Sequence, residues 1–138
     1  MIMSDQERVK VFLAGGPYAV VGASRDRSKY GNKVLRAFLQ RERSVYPVNP
    51  NCDQVEGLKA YPDLASLPEA VHGVSIITPP QVTEAIVEQA GALGIKNLWL
   101  QPGAESAKAL ARAESFGMNV MSGGPCILVA LGYREQKA

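Results

Sequence analysis

Five short apolar runs, "YAVVG", "VYPV", "VSII", "NLWL" and "NVM", recur along the chain, most of them separated by a stretch of helical periodicity. A strand apolar at nearly every position is covered on both faces, the condition found inside a parallel sheet. Between the strands, "NKVLRAFLQRE" carries Val34, Leu35, Phe38 and Leu39 at helical spacing, and "QVTEAIVEQAGALG" carries Val82, Ile86, Val87 and Ala90. Gly94 and Gly117 close the last two long helices, the second of which is "AESAKALARAESFG". "DQERVKVFLAG" predicts a leading helix with Val9, Phe12 and Leu13 on one side. "EGLKAYPDLASLPEAVHG" predicts a short extended piece at 59–61 and a single helical turn. Pro125 suits a helix start in the closing run "PCILVALGYREQKA". The alternation predicts an α/β chain: one Rossmann-like doubly wound domain over residues 1–138, with a mostly parallel sheet of five or six strands. A flavodoxin-like strand order is the alternative.

Such a sheet offers one good ligand crevice, at the carboxyl ends of the strands where their order reverses. The loops that fall there read "GAS", "NP", "TPP", "QPG" and "GGPC", small, proline or amide residues rather than charged ones. Gly22 permits a tight turn after the first strand, Ser24 adds a hydroxyl, and the following helix start can present amides to a phosphate. Arg25, Arg27 and Lys29 lie between Gly22 and Gly31, with Lys33 just beyond. The net charge of only +2 makes this a local cluster, suited to a small anionic ligand rather than to nucleic acid. A merely solvated helix face is the plainer reading of the same residues.

Several chemistries lack their residues. The G-x-G-x-x-G spelling is missing, and Asn49 stands where an NAD site places a carboxylate for the ribose. An NADP phosphate could still meet Arg27 or Lys29, so an NAD(P)-dependent oxidoreductase stays an alternative, without a Tyr-x-x-x-Lys or His–Asp pair to support it. "GASRDRSKYG" lacks the G-K-[ST] ending of a P-loop. Cys126 follows a strand end and could serve acyl transfer as a nucleophile, or simply pack or line a ligand. The single histidine, His72, precedes a central strand and belongs to the opposite sheet edge, which leaves no base for that thiol and no His-based metal cluster. Trp99 reads as core packing, and Glu105 and Glu114 form no acid–base pair. Cys52 and Cys126 have no motif spacing and read as free thiols. No run reaches the ~18 apolar residues of a membrane span, and charged residues interrupt the N-terminal run, so a cytoplasmic protein is expected.

The segments "VVGASRDRSKYGNKVLRAFL", "VYPVNPN", "GLKAYPDLASLPE", "SIITPP", "ALGIKNLWLQPGAES" and "GGPCI" together resemble the small stand-alone CoA-binding proteins, over about residues 17–132. Their fold is similar to the N-terminal CoA-binding domain of the succinyl-CoA synthetase alpha subunit. The resemblance implies that Gly22, Ala23 and Ser24 meet the CoA diphosphate, accompanied by Arg25 and Lys29. Asn49 and Pro50 approach the adenosine, Thr78, Pro79 and Pro80 flank the nucleotide with Val82 behind, and the pantetheine arm runs toward Gln101, Pro102, Gly103 and Cys126. Asn51 stands where the synthetase has a lysine near the adenosine, so the 3′-phosphate must rely on other cations. The synthetase's further domain with its phosphorylated histidine has no counterpart in these residues. The resemblance therefore implies a protein that binds CoA or an acyl-CoA, with no catalytic residues assigned. Its role would depend on an acyl group or a protein partner; a homodimer through the apolar run at 127–133 is one form, and core closure by that run is the other.

Overall fold

The computed structural model describes residues 3–123 and 126–135. Strands β1 (Tyr18–Val21), β2 (Val45–Val48), β5 (Gly73–Ile76), β6 (Asn97–Leu100) and β7 (Asn119–Met121) form one sheet in the order β2-β1-β5-β6-β7. Every neighbouring pair is parallel. The three central strands are buried at every position, as their continuous apolar composition requires.

Side-chain alternation along the strands divides the core in two. Ala19, Val21, Val74, Ile76, Leu98 and Leu100 pack beneath α3 (Pro80–Ala92) and α4 (Ala107–Ser115). Tyr18, Val20, Trp99 and Met121 pack beneath α1 (Asp5–Leu13), α2 (Tyr30–Gln40) and α5 (Ile127–Ala130). Helices thus cover both faces, which is the doubly wound arrangement. Trp99 is buried edge-on against Phe12, with ring centroids 5.3 Å apart, so it is core as expected.

The chain runs outward from β1 to β2 and then returns to β5 on the other side of β1. The strand order therefore reverses between β1 and β5. A short antiparallel hairpin, β3 (Gln54–Val55) and β4 (Leu58–Lys59), follows β2. Its turn residues Glu56 and Gly57 have φ of 51° and 77°, the left-handed pair of a two-residue hairpin turn. Sequence reasoning found only the extended piece at 59–61, because glutamate at such a position is no turn signal. Tyr61 then pairs with Val48 as a single parallel bridge outside β2, the place a third strand takes in the Rossmann order.

Local signals set the helix ends. Ser4 and Glu7 form a capping box on α1. Strand β5 ends at Ile76, ahead of the two prolines, which open the next helix: Pro79 is the N-cap of α3, and Pro80 is its first residue, where the missing N–H costs nothing. A 3-10 turn, Leu64–Ser66, supplies the single helical turn. Gly124 and Pro125, expected to lead into α5, lie outside the described residues. Ile127 and Leu131 are buried, so the run after Cys126 closes the core.

Candidate functional site

The turn after β1 is held open by two backbone approaches. Gly22 has φ of +94°, and a Cβ there would lie 2.0 Å from the carbonyl oxygen of Ile77, the residue that follows β5. A Cβ on Gly31 would lie 2.1 Å from the carbonyl oxygen of Gly22. The second glycine therefore does what the third glycine of a dinucleotide fingerprint does, seating the helix start against the strand end. The unusual spacing simply encloses a longer basic turn.

Side chains from beneath then orient that turn. Asn49 Nδ2 donates to the Ala23 carbonyl at 2.8 Å, Asn32 Nδ2 to the Ser24 carbonyl at 2.8 Å, and Arg36 to the Arg27 carbonyl at 2.8 Å. Asn32 is fully buried, and its oxygen accepts Arg36 Nε at 2.7 Å. In a trans peptide the C=O and the next N–H point in opposite directions. Fastening the Ala23 and Ser24 carbonyls to the protein therefore turns the amides of Ser24 and Arg25 the other way, and neither finds an acceptor among the described residues. The N-terminus of α2 adds its own charge: its cap, Lys29, gives no side-chain hydrogen bond, and no acidic residue lies in its first turn. Asp26 stiffens the turn by accepting from the Ser28 amide and hydroxyl, and these bonds hold its carboxyl below the usual value.

The cations are not equivalent. Arg27 is paired with Glu56 at 3.4 Å, and that carboxylate also accepts from Asn32 at 3.0 Å. Lys33 and Arg36 share Glu135, each at 3.9 Å. Among the described residues Arg25 and Lys29 form no ion pair and are exposed on the turn. Arg36, one turn further along α2, is only 4% exposed, unlike the cations of the turn. Sequence reasoning missed Asn32, Arg36 and Glu56; the Asn32–Arg36 pair at i, i+4 was the one local signal for them.

The other loops converge on the same edge. Asn49 spends both ends of its side chain on the backbone, since its Oδ1 accepts the Asn51 amide at 2.7 Å. Pro50 is exposed beside it. Thr78 shares a 2.7 Å hydroxyl contact with Thr83, ahead of Pro79 and Pro80, and Val82 is 45% exposed on the first turn of α3. Gln101 is fully buried, donating to Ser75 Oγ at 3.0 Å and accepting from the Tyr30 hydroxyl at 3.1 Å. Pro102 and Gly103 are exposed, and the Gly103 amide donates to Glu105 at 3.1 Å.

The Tyr30 hydroxyl also lies 3.3 Å from Cys126 Sγ. Burial opposes the Cys126 thiolate, but the Tyr30 hydroxyl and the Val129 and Leu128 amides outweigh it and hold the thiol below its ordinary value. Burial and the neighbouring sulfur push the Tyr30 hydroxyl up. Both cysteines are free thiols. His72 bonds the Val11 carbonyl through Nε2 at 3.0 Å, just before β5 and at the far edge of the sheet. Among the described residues no group of three His, Cys, Asp or Glu side chains could hold a metal ion. No described helix is long and apolar enough to cross a membrane.

Unbonded amides and cations without ion pairs thus gather at the edge where the strand order of the sheet reverses. Residues 17–132 match the family model described as CoA binding domain, and the chain belongs to that family. A conserved hypothetical protein from Pyrococcus furiosus is 40% identical, covering 84% of this chain and 99% of that one, with a TM-score of 0.79. The dinucleotide-forming acetyl-coenzyme A synthetase 1 of Ca. Korarchaeum cryptofilum is 33% identical over 76% of this chain and 25% of its own, with a TM-score of 0.65. Among curated proteins, an ADP-forming acetate–CoA ligase from Archaeoglobus fulgidus is 34% identical over 56% of this chain and 12% of its own length. A Methanocaldococcus jannaschii enzyme of the same name is 27% identical over 56% of this chain and 11% of its own. The chain thus spans about one eighth or less of these two ligases. The likeness is to the CoA-binding domain of acyl-CoA ligases generally, not to the succinyl-CoA synthetase alpha subunit in particular.

Proposed function

We propose that the strand-end crevice binds CoA or an acyl-CoA, and that the chain serves as a binding protein. The observation that carries this reading is the orientation of the turn after β1. Its Ala23, Ser24 and Arg27 carbonyls are fastened to Asn49, Asn32 and Arg36, so the Ser24 and Arg25 amides are free to meet a diphosphate. Arg25 and Lys29 supply the cations for the phosphates, and Arg25 can grip one bidentately. Thr78, Pro79, Pro80 and Val82 form the opposite wall of the reversal point, and the pantetheine runs past Gln101, Pro102 and Gly103 toward Cys126. Asn49 and Pro50 stand at the adenosine end, where Asn49 acts by bracing the turn.

The nicotinamide alternative has no support at β2, because the Asn49 side chain is committed to the backbone instead of a ribose. Acyl transfer by Cys126 lacks a base among the described residues, where the thiol's partners are Tyr30 and backbone amides. Calorimetric titration with CoA, dephospho-CoA, NAD and NADP tests the reading. CoA is expected to bind tightest and to weaken with added salt. Tighter binding of NAD, or no binding of CoA at millimolar concentration, would overturn it.

A further inference from the structure

Beside the crevice, α1 and α5 enclose a groove of about 530 Å³ lined by Asp5, Gln6, Val9, Cys126, Val129 and Ala130. That volume is within the ~300–1,000 Å³ of small-molecule sites. Its walls are mainly apolar, and Val129 is 80% exposed, the most exposed large hydrophobic side chain among the described residues. Cys126 belongs to both places: it lines the groove, and through Tyr30 it is linked at 3.3 and 3.1 Å to buried Gln101. We propose that this groove receives the apolar acyl chain of an acyl-CoA whose thioester lies near Cys126. The inference rests on the CoA reading above and adds the class of acyl group.

Two features favour an acyl chain over a second copy of the protein. Ile127 and Leu131 are buried, and Ala130 is small, so Val129 is the one large, exposed hydrophobic side chain that lines the groove. A stable dimer needs about 800 Å² from each partner. The groove also carries polar groups, because Asp5 and Gln6 line it with one carboxylate and one amide. A straight hydrocarbon can lie along Val9, Ala130 and Val129, whereas an acyl group ending in its own carboxylate meets Asp5.

The test is a titration of the full chain with CoA and with acetyl-, butyryl-, octanoyl- and succinyl-CoA. An open groove buries part of each methylene, so affinity is expected to rise about twofold per methylene, on the order of 50-fold from acetyl to octanoyl. Succinyl-CoA is expected to bind more weakly than butyryl-CoA. In Val129→Asp, whose folding a thermal melt checks, the plot of log affinity against chain length should become flat. CoA binding with no chain-length dependence in the natural protein would overturn the acyl groove and leave the CoA reading standing. A dependence untouched by Val129→Asp, or succinyl-CoA binding as tightly as butyryl-CoA, would also overturn it. So would a dimer that Val129→Asp dissociates while the plot is flat in both proteins. Failure of CoA itself to bind would overturn the reading beneath.

Discussion

The carbonyl oxygen of Gly22 occupies the space a Cβ on Gly31 would need, 2.1 Å away, so helix α2 begins in direct backbone contact with the end of β1. Everything in the basic turn hangs between these two points. The obstructing atom is backbone on both sides, with no flexible side chain to yield.

Gly31→Ala is therefore expected to destabilise the protein by about 1–3 kcal/mol, the usual cost of overpacking, and to weaken CoA binding with it. Urea denaturation measures the first effect and calorimetry the second. An unchanged midpoint would mean that α2 is not seated on Gly22.

Asn32 is a brace of the turn, and its loss leaves the Ser24 carbonyl and Arg36 Nε without their partners. Asn32→Ala is expected to cost about 1–3 kcal/mol, the penalty for stranding buried polar groups. It should also loosen CoA, because the Ser24 carbonyl no longer fixes the direction of the Arg25 amide. Amide hydrogen exchange across residues 23–29 would show faster exchange in the variant.

Arg25 and Arg27 should differ in weight. Arg25→Ala removes a free cation, and loss of a charge-assisted phosphate contact is expected to weaken CoA about tenfold or more. Arg27→Ala should cost less, since Glu56 already neutralises that guanidinium. Conversely, Glu56→Gln releases Arg27 and is expected to tighten CoA. Equal losses for Arg25→Ala and Arg27→Ala would show that Arg27 leaves Glu56 when ligand binds.

Cys126 gives a prediction in pH. Burial raises its pKa, the Tyr30 hydroxyl and the two amides lower it, and the lowering wins. Tyr30→Phe deletes the hydroxyl, so the thiol should titrate at higher pH and alkylate more slowly at neutral pH. A Cys52→Ser background isolates the signal. A depressed folded-state pKa also means that the thiolate stabilises the fold. This contribution is full above the ordinary thiol pKa and is lost as pH falls through the folded-state value. Alkylation profiles that coincide with and without the hydroxyl would remove Tyr30 from the thiol's environment.

Residue pattern alone determined the elements and therefore the edge at which a ligand must sit. Strands such as "YAVV" and "VSII" are apolar at every position because they are covered on both faces, and that composition is local information. Gly22 and the basic turn were legible for the same reason: a strand end, a glycine and a helix start are neighbours in the chain. The tertiary structure decided what those residues do. Packing buries Arg36 against the turn, where it holds the Arg27 carbonyl, and Asn49 became a brace once β2 brought it beside Ala23. Glu56 reaches Arg27 only through a hairpin whose turn carries no glycine or asparagine at its first position. Strand order was equally a matter of packing, since Tyr61 takes its place beside Val48 through one bridge. Periodicity reports which face of an element is buried; the partner on the other side of that face is chosen by contacts between residues far apart in the chain.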